Sequence, residues 1–174
     1  MMLIRQETTK DYKATEHVVE EAFRDAEFAD HAEHLLVQRL RESESFIPEV
    51  SLVAEIEGEI VGHILFTKII IIGEKIWDSI SLAPVSVLPK HQRKGIGGEL
   101  ILKGLEIVKH LGFESVIVLG HEEYYPKFGF QKASSWSIKC PFDVPEGAFM
   151  AIELKPGALT HVVGTVEYPK EFGI

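Results

Sequence analysis

The 174-residue sequence has little of several features that mark other classes of protein. It contains one cysteine, Cys140, so an internal disulfide framework is excluded. No apolar run reaches transmembrane length and no secretory signal pattern is present, so we expect no membrane partner and a cytoplasmic location. Basic residues are outnumbered: 18 Lys and Arg against 27 Asp and Glu give a net charge of −9, so no nucleic-acid partner is expected.

Internal repeats, low-complexity tracts and linkers are also absent. The length suits one domain with a substantial core, and we predict a single domain over residues 1–174. The P-loop pattern G-x-x-x-x-G-K-[ST] does not occur, and the dinucleotide fingerprint G-x-G-x-x-G fails because Leu100 holds its last position. Two common kinds of nucleotide-binding loop are therefore excluded.

What the sequence does contain is an apolar strand that runs into a basic, glycine-rich loop and then a helix. The strand stops at Pro89, which has no N–H to donate to a ladder. Three glycines between Gly95 and Gly98 let the backbone turn tightly and approach a ligand closely. The first amides of the helix lack intrahelical partners, and Arg93 and Lys94 add positive charge beside them. This stretch predicts a pyrophosphate-binding loop.

The pattern of apolar residues and breakers predicts the other elements of the fold. In chain order they are a strand at Leu3–Arg5, a helix after a Thr8–Asp11 capping box, a helix at Asp30–Glu42, strands at Leu52–Glu57, Ile60–Ile72 and Ile76–Leu88, a helix from Ile96 to Leu111, a strand at Ser115–Leu119, and strands near Ser134–Lys139 and Ala148–Leu154. The stretch from Ile80 to Leu119 is expected to form a parallel strand–helix–strand crossover.

These features resemble the GNAT superfamily of N-acetyltransferases. Gln92-Arg93-Lys94-Gly95-Ile96-Gly97 is similar to its coenzyme A signature Q-x-x-G-x-G, and the aromatic segment 124–130 is similar to its second signature, a short helix closed by Gly-Phe. The whole sequence resembles predicted N-acetyltransferases described as YhbS-like. The resemblance implies an α/β (α+β) GNAT fold of order β-α-α-β-β-β-α-β-α-β-β, in which helices flank a mixed sheet with a splayed parallel strand pair.

The resemblance also implies acetyl-CoA as the cofactor and a set of site residues. Tyr125, four residues before Gly129, is the implied general acid for the departing thiolate, with Tyr124 as its competitor. The amide of Val87 or Leu88 is the implied oxyanion donor. The implied cofactor-binding residues are Val85, Ser86, Val87, Gln92, Arg93, Lys94, Gly95, Ile96, Gly97, Gly98, His121 and Phe128. For His121, contact with the cofactor and capping of the next helix are equally expected.

The implied activity is direct transfer of an acetyl group from acetyl-CoA to a primary amine of a small molecule or protein. The alternative is a non-catalytic acyl-CoA-binding or regulatory module on the same fold. A homodimer is common among relatives and is one expected assembly. No general base stands out: the candidates are Glu55, His63, Glu21, Glu27 and a water chain.

Two further features are weaker. His31 and His34 have a metal-compatible spacing but no clear third ligand, so no metal site is predicted. Cys140 would be needed as an acetyl carrier in a two-step route, yet no base adjoins it in the sequence. Both are expected to be structural or surface residues.

Overall fold

A mixed sheet with helices on both faces forms the centre of the computed structural model, which describes residues 1–26 and 29–174. The strands are β1 (Met2–Gln6), β2 (Phe46–Ile56), β3 (Glu59–Ile72), β4 (Ile76–Val87), β5 (Ser115–Leu119), β6 (Gln131–Lys132), β7 (Ile138–Lys139), β8 (Phe149–Glu153) and β9 (Gly164–Glu167). The α-helices are α1 (Tyr12–Phe23), α2 (Glu33–Arg41) and α3 (Ile96–His110). The sheet order is β1-β2-β3-β4-β5-β8-β6, and β9 pairs with both β3 and β7.

The parallel strands β4 and β5 pair over a short length only. Their register joins Ile80 to Val116 and Ser81 to Ile117, and no further pairing follows toward their carboxyl ends. One extra residue of β4, at Ala83–Pro84, lies opposite β3 and interrupts the β3–β4 register. Because such a bulge bends its strand, β4 diverges from β5 beyond this point. The predicted splayed pair is present, and α3 connects the two strands.

The two faces of the sheet carry different layers. Leu65 packs with Val19 of α1 and with Val37 and Leu40 of α2. The next residue, Phe66, points to the opposite face, where a Cβ added to Gly104 of α3 would lie 2.1 Å from the Phe66 ring. Side chains alternate between the two faces of a strand, so α1 and α2 cover one face and α3 covers the other.

Most predicted elements are confirmed, and the strand β5 has the predicted bounds. The Thr8–Asp11 pair is also present, since the Thr8 N–H donates to the Asp11 carboxylate over 2.8 Å, just before α1. The strand β2 begins six residues earlier than Leu52, at Phe46. Pro48 concealed this extension, because it lies in an irregular stretch of the β2–β3 pairing where a residue without an N–H is tolerated.

The region after β5 differs most from the prediction. In place of a helix there is one 3-10 turn, Tyr125–Phe128, which ends at Gly129 with φ of 105°. The predicted strand Ser134–Lys139 is a 3-10 turn, Ala133–Trp136, followed by the two-residue β7. The short strand β9 was not predicted, because only Val166 among its residues is buried and no apolar alternation marks it.

Candidate active site

The loop before α3 has the shape expected of an anion-binding loop. Arg93 and Gly95 both have left-handed backbone, with φ of 64° and 82°. Gly95 is the N-cap of α3 and supplies no capping side chain, so the first amides of the helix are left for a ligand. The Gln92 side chain donates to the Val87 carbonyl over 3.0 Å and ties the loop back to the end of β4.

Gly97 and Gly98 lie in the first turn of α3, against two aromatic rings. A Cβ on Gly97 would lie 3.3 Å from the Tyr124 hydroxyl, and a Cβ on Gly98 would lie 3.4 Å from the Phe128 ring. The aromatic turn after β5 thus packs directly on the first turn of α3. Both predicted signatures, which are about 30 residues apart in sequence, therefore meet at one place.

The backbone of β4 presents unpaired amides to the gap between β4 and β5. The Leu88 N–H donates to the Val61 carbonyl over 2.9 Å. In an antiparallel ladder the bonded pairs alternate, so Ser86 bonds His63 of β3 and the N–H groups of Val85 and Val87 point away from β3. Of the two amides considered as oxyanion donors, the Leu88 amide is already hydrogen-bonded within the sheet. The Val87 amide is free of that pairing.

The other predicted cofactor-binding residues differ in where their side chains lie. Gln92, Arg93 and Lys94 are exposed in the loop. The Ile96 side chain is 4% exposed and belongs to the core beneath α3, so only its backbone faces the loop. Ser86 is buried, and its pairing with His63 directs its side chain toward α1 and α2 rather than toward α3.

Tyr125 and Tyr124 lie in different environments. The Tyr125 ring is 8% exposed and packs on Gly120 at the end of β5 and edge-on to Phe130, with 5.8 Å between ring centroids. Burial, with a smaller effect from Tyr124, raises the pKa of Tyr125 to about 12. Tyr124 is only partly buried, and burial raises its pKa as well. Both phenols carry their protons at neutral pH, as a general acid must.

His121 begins the turn that carries these tyrosines. Its carbonyl accepts the N–H of Tyr124 over 3.1 Å. Its side chain is exposed and lines an open cleft of about 380 Å³ with Glu122, Glu123 and Tyr124. The N-cap of the 3-10 turn is Tyr124, so His121 contributes only its backbone carbonyl, and cofactor contact by its imidazole stays a prediction.

The general-base candidates that the structure describes lie in different places relative to the α3 loop and β4. Glu55 accepts from Arg5 over 3.1 Å, on the β1–β2 edge away from the loop. Glu21 pairs with Arg24 on the surface of α1. Glu27 lies outside the described residues. His63 is wholly buried beneath α1 and α2, one strand away from the free amides of β4.

A buried polar cluster around His63 was not predicted. Its members are Glu7 after β1, Arg41 of α2, Ser51 of β2 and His63 of β3, and each side chain is at most about 5% exposed. Arg41 donates to Glu7 over 2.7 Å, and the Ser51 hydroxyl donates to Glu7 over 2.7 Å. These residues come from four separate elements, so no local motif could have revealed their contact.

The remaining candidates have structural surroundings. Burial raises the pKa of the Cys140 thiol, which disfavours the reactive thiolate. His34 lies 3.2 Å from Glu20, and within residues 1–26 and 29–174 no group of three metal-binding side chains occurs. Across the same residues, no helix is long and apolar enough to cross a membrane.

Comparison with known proteins identifies the class that this fold and loop define. Residues 12–130 match the model of the acetyltransferase (GNAT) family. The chain belongs to this family of acetyltransferases, and its mixed sheet with a splayed parallel pair is the GNAT fold.

Individual relatives agree with this assignment. The chain is 30% identical over 172 residues, 98% of each protein, to the uncharacterized N-acetyltransferase YhbS of Escherichia coli. It is 43% identical over 113 residues to the uncharacterized N-acetyltransferase YjhQ of Escherichia coli, a match that covers 64% of this chain and 62% of YjhQ.

Two solved structures are also similar. A GNAT family acetyltransferase from Brucella melitensis, in complex with acetyl-CoA, has a TM-score of 0.82 and 34% identity over 99% of this chain and 98% of that one. YhbS from Escherichia coli, in complex with CoA, has a TM-score of 0.86 and 30% identity over 99% of this chain and 92% of that one.

Proposed function

We propose that this acetyltransferase moves the acetyl group of acetyl-CoA directly to a primary amine of a small molecule or protein. The observation that carries the proposal is the open gap between β4 and β5, which has free amides along one side and the α3 loop at its end. The acetyl-CoA and CoA complexes of two relatives support the same cofactor.

The residues around the gap fit this cofactor. Left-handed backbone at Gly95 and the uncapped first turn of α3 suit a pyrophosphate, which accepts hydrogen bonds from backbone N–H groups. Arg93 and Lys94 add positive charge at that end. Val85 and Val87 offer backbone groups to an extended amide-containing arm, as another β-strand would receive them. Bound acetyl-CoA supplies an activated thioester.

Two groups of the chain are assigned to the chemistry. The Val87 N–H would donate to the carbonyl oxygen where negative charge develops, which is the role of an oxyanion donor. The Tyr125 phenol would donate to the sulfur as the thiolate leaves. The phenol carries its proton at neutral pH, as this role requires.

The test is release of CoA by the purified chain with a panel of amines. The panel should contain a polyamine, an amino sugar, a lysine peptide and a peptide with a free α-amino group, each followed by mass spectrometry of the product. We expect amine-dependent release of CoA with one amide formed per thiol. Tight binding of acetyl-CoA with no turnover on any amine would instead favour a binding or regulatory module.

A single domain over residues 1–174, a cytoplasmic location and a homodimer stay predictions. The length of 174 residues supports the first, and the single cysteine is consistent with the second. Limited proteolysis tests the domain assignment, and light scattering tests the assembly.

A further inference from the structure

A line of buried polar side chains leads from the interior of the α1–α2 layer to the site strand β4. Glu7 accepts the Ser51 hydroxyl over 2.7 Å, and Ser51 Oγ lies 3.2 Å from His63 Nε2. His63 is wholly buried, and Ser51 is 1% exposed. His63 Nε2 is 3.9 Å from Glu7, too far for a hydrogen bond, so Ser51 links the imidazole to the carboxylate.

The directions of these hydrogen bonds determine the histidine tautomer. A carboxylate only accepts, so Ser51 must donate its proton to Glu7. Ser51 Oγ must then accept from His63, which places the imidazole proton on Nε2. His63 Nδ1 is left with a free lone pair, and it is buried without a partner among the described residues.

His63 itself lies directly opposite the site strand. His63 pairs with Ser86 of β4, and directly opposed residues on neighbouring strands have their side chains on the same face. The Ser86 hydroxyl is likewise buried without a partner in the described part of the chain. Ser86 lies between Val85 and Val87, whose amides face the gap. Buried polar atoms are nearly always hydrogen-bonded, so two unpartnered groups on the same face of neighbouring strands suit a bridging water.

Charges around the cluster favour a neutral His63 and an ionised Glu7. Burial lowers the pKa of His63 to about 4, although Glu7 opposes this effect. Burial alone would raise the pKa of Glu7, but His63 and Arg41 lower it overall. Arg41 bonds both Glu7 and Glu16 and stacks on the Tyr12 ring, 3.8 Å from its centroid. The carboxylate at the inner end of the line is therefore held in place and is ionised at rest, so it can accept a proton.

We propose that Ser86, His63, Ser51 and Glu7 form a proton relay that takes the proton lost by the acceptor amine. The proposal rests on the proposed function. As the amine nitrogen bonds the acetyl carbon and the carbon–sulfur bond breaks, the amine proton passes to Ser86, directly or through a water. The Ser86 proton passes through a bridging water to His63 Nδ1, the Nε2 proton to Ser51, and the Ser51 proton to Glu7. Tyr125 supplies the proton for the thiolate. Return of the Glu7 proton along the same line to solvent, and reprotonation of the Tyr125 phenolate from solvent, then restore the enzyme, so protons and charges balance over one turnover.

The first test needs no acceptor. In 15N NMR of the histidine-labelled chain, His63 should be neutral at pH 7, with Nε2 protonated and Nδ1 bare, in the presence and absence of CoA. A proton on Nδ1, or an imidazolium, would overturn the relay even if the enzyme is active. Assignment of the signal uses the loss of one resonance in His63→Gln.

The second test separates a relay from a structural contact. In His63→Gln the amide N–H can still reach Ser51, but the side chain cannot pass a proton through. We expect kcat to fall roughly 10²-fold with the Kd for acetyl-CoA within about twofold, since acid–base help is typically worth about 10²–10⁴. Ser51→Ala should lower kcat less, because Nδ1 can still accept a proton. It should also reduce the solvent deuterium isotope effect on kcat.

The matched control is Ser115→Ala. Ser115 is also a buried serine bonded to a side chain, Ser79, over 2.7 Å, but it lies at the closed end of the β4–β5 pair. It should keep the wild-type kcat and isotope effect. Wild-type turnover by His63→Gln would overturn the relay alone. A wild-type chain that binds acetyl-CoA with no turnover would overturn the proposed function and the relay together.

Discussion

The α3 side of β4 and the α1–α2 side build their parts of the site from different chemical groups. On the α3 side, backbone amides of Val85, Val87 and the first turn of α3 face the gap, and glycines let aromatic rings pack close. On the α1–α2 side, side chains of Glu7, Ser51 and His63 bond to one another in the buried interior. One side is suited to holding an extended phosphorylated molecule, and the other to moving a proton.

This difference suggests that binding and chemistry can be separated by mutation. A change on the α3 side alters the shape or charge of a backbone surface, so it should act on affinity. A change in the buried cluster leaves that surface in place, so it should act on turnover. Tyr125 lies near the border, since its ring packs on Gly120 just after β5 and its phenol is the proposed proton donor.

The largest effect is expected from Gly97→Glu, which should abolish binding of acetyl-CoA. The added side chain would start 3.3 Å from the Tyr124 hydroxyl and place a negative charge where the pyrophosphate is expected. Calorimetry measures the loss. Leu102→Glu is the matched control, because it adds the same charge at an exposed position of the same helix and should bind normally. Equal affinity of both variants would refute the loop assignment.

Tyr125→Phe should reduce kcat by roughly 10²–10⁴-fold with little change in the Kd for acetyl-CoA. The substitution removes the proton donor and keeps the ring that packs on Gly120. Tyr124→Phe is the control and should keep most of the turnover. The steady-state release of CoA measures both. If Tyr125→Phe turns over at the wild-type rate, protonation of the thiolate belongs to water.

A third effect concerns stability. His63 titrates near pH 4 in the fold and near 6.5 when unfolded, so between these values the unfolded chain binds the extra proton. The free energy of unfolding should therefore rise with pH across this window, by about 3 kcal/mol from this residue. Urea unfolding at several pH values measures the slope. His63→Gln should flatten the curve, and parallel curves would mean that His63 is not buried neutral.

The smallest effect is expected from Cys140→Ala, which should remain fully active. Direct transfer needs no acetyl-enzyme, and the raised pKa of Cys140 disfavours its thiolate. Intact-mass spectrometry after mixing with acetyl-CoA should find no added acetyl group. A stable acetyl adduct on this cysteine would contradict direct transfer.

The two sides also differ in how much of them could be predicted from the sequence. The loop from Gln92 to Gly98 needs glycines at set positions because its backbone turns left-handed and approaches both ligand and rings. Those requirements leave a contiguous sequence pattern. That pattern allowed the parallel strand–helix–strand crossover and the fold to be predicted. Pro89 marked the end of the site strand for a similar reason.

The buried cluster left no such pattern. Glu7, Arg41, Ser51 and His63 contact each other only after β1, α2, β2 and β3 have packed. The alternation of β3 does place His63 on the same face as Leu65, but nothing in the sequence shows which side chains lie across from it. The turn after β5 escaped prediction because Pro126 and Gly129 limit it to a single 3-10 turn.

The most direct test of this division is to measure the Kd for acetyl-CoA and the kcat with one good amine in the same preparations of Gly97→Glu and His63→Gln. We predict that Gly97→Glu loses binding, while His63→Gln binds within about twofold of wild type and loses roughly 10²-fold in kcat. If His63→Gln loses affinity and turnover together while its fold is intact, or if Gly97→Glu binds normally, the division of the site between the two sides of β4 is contradicted.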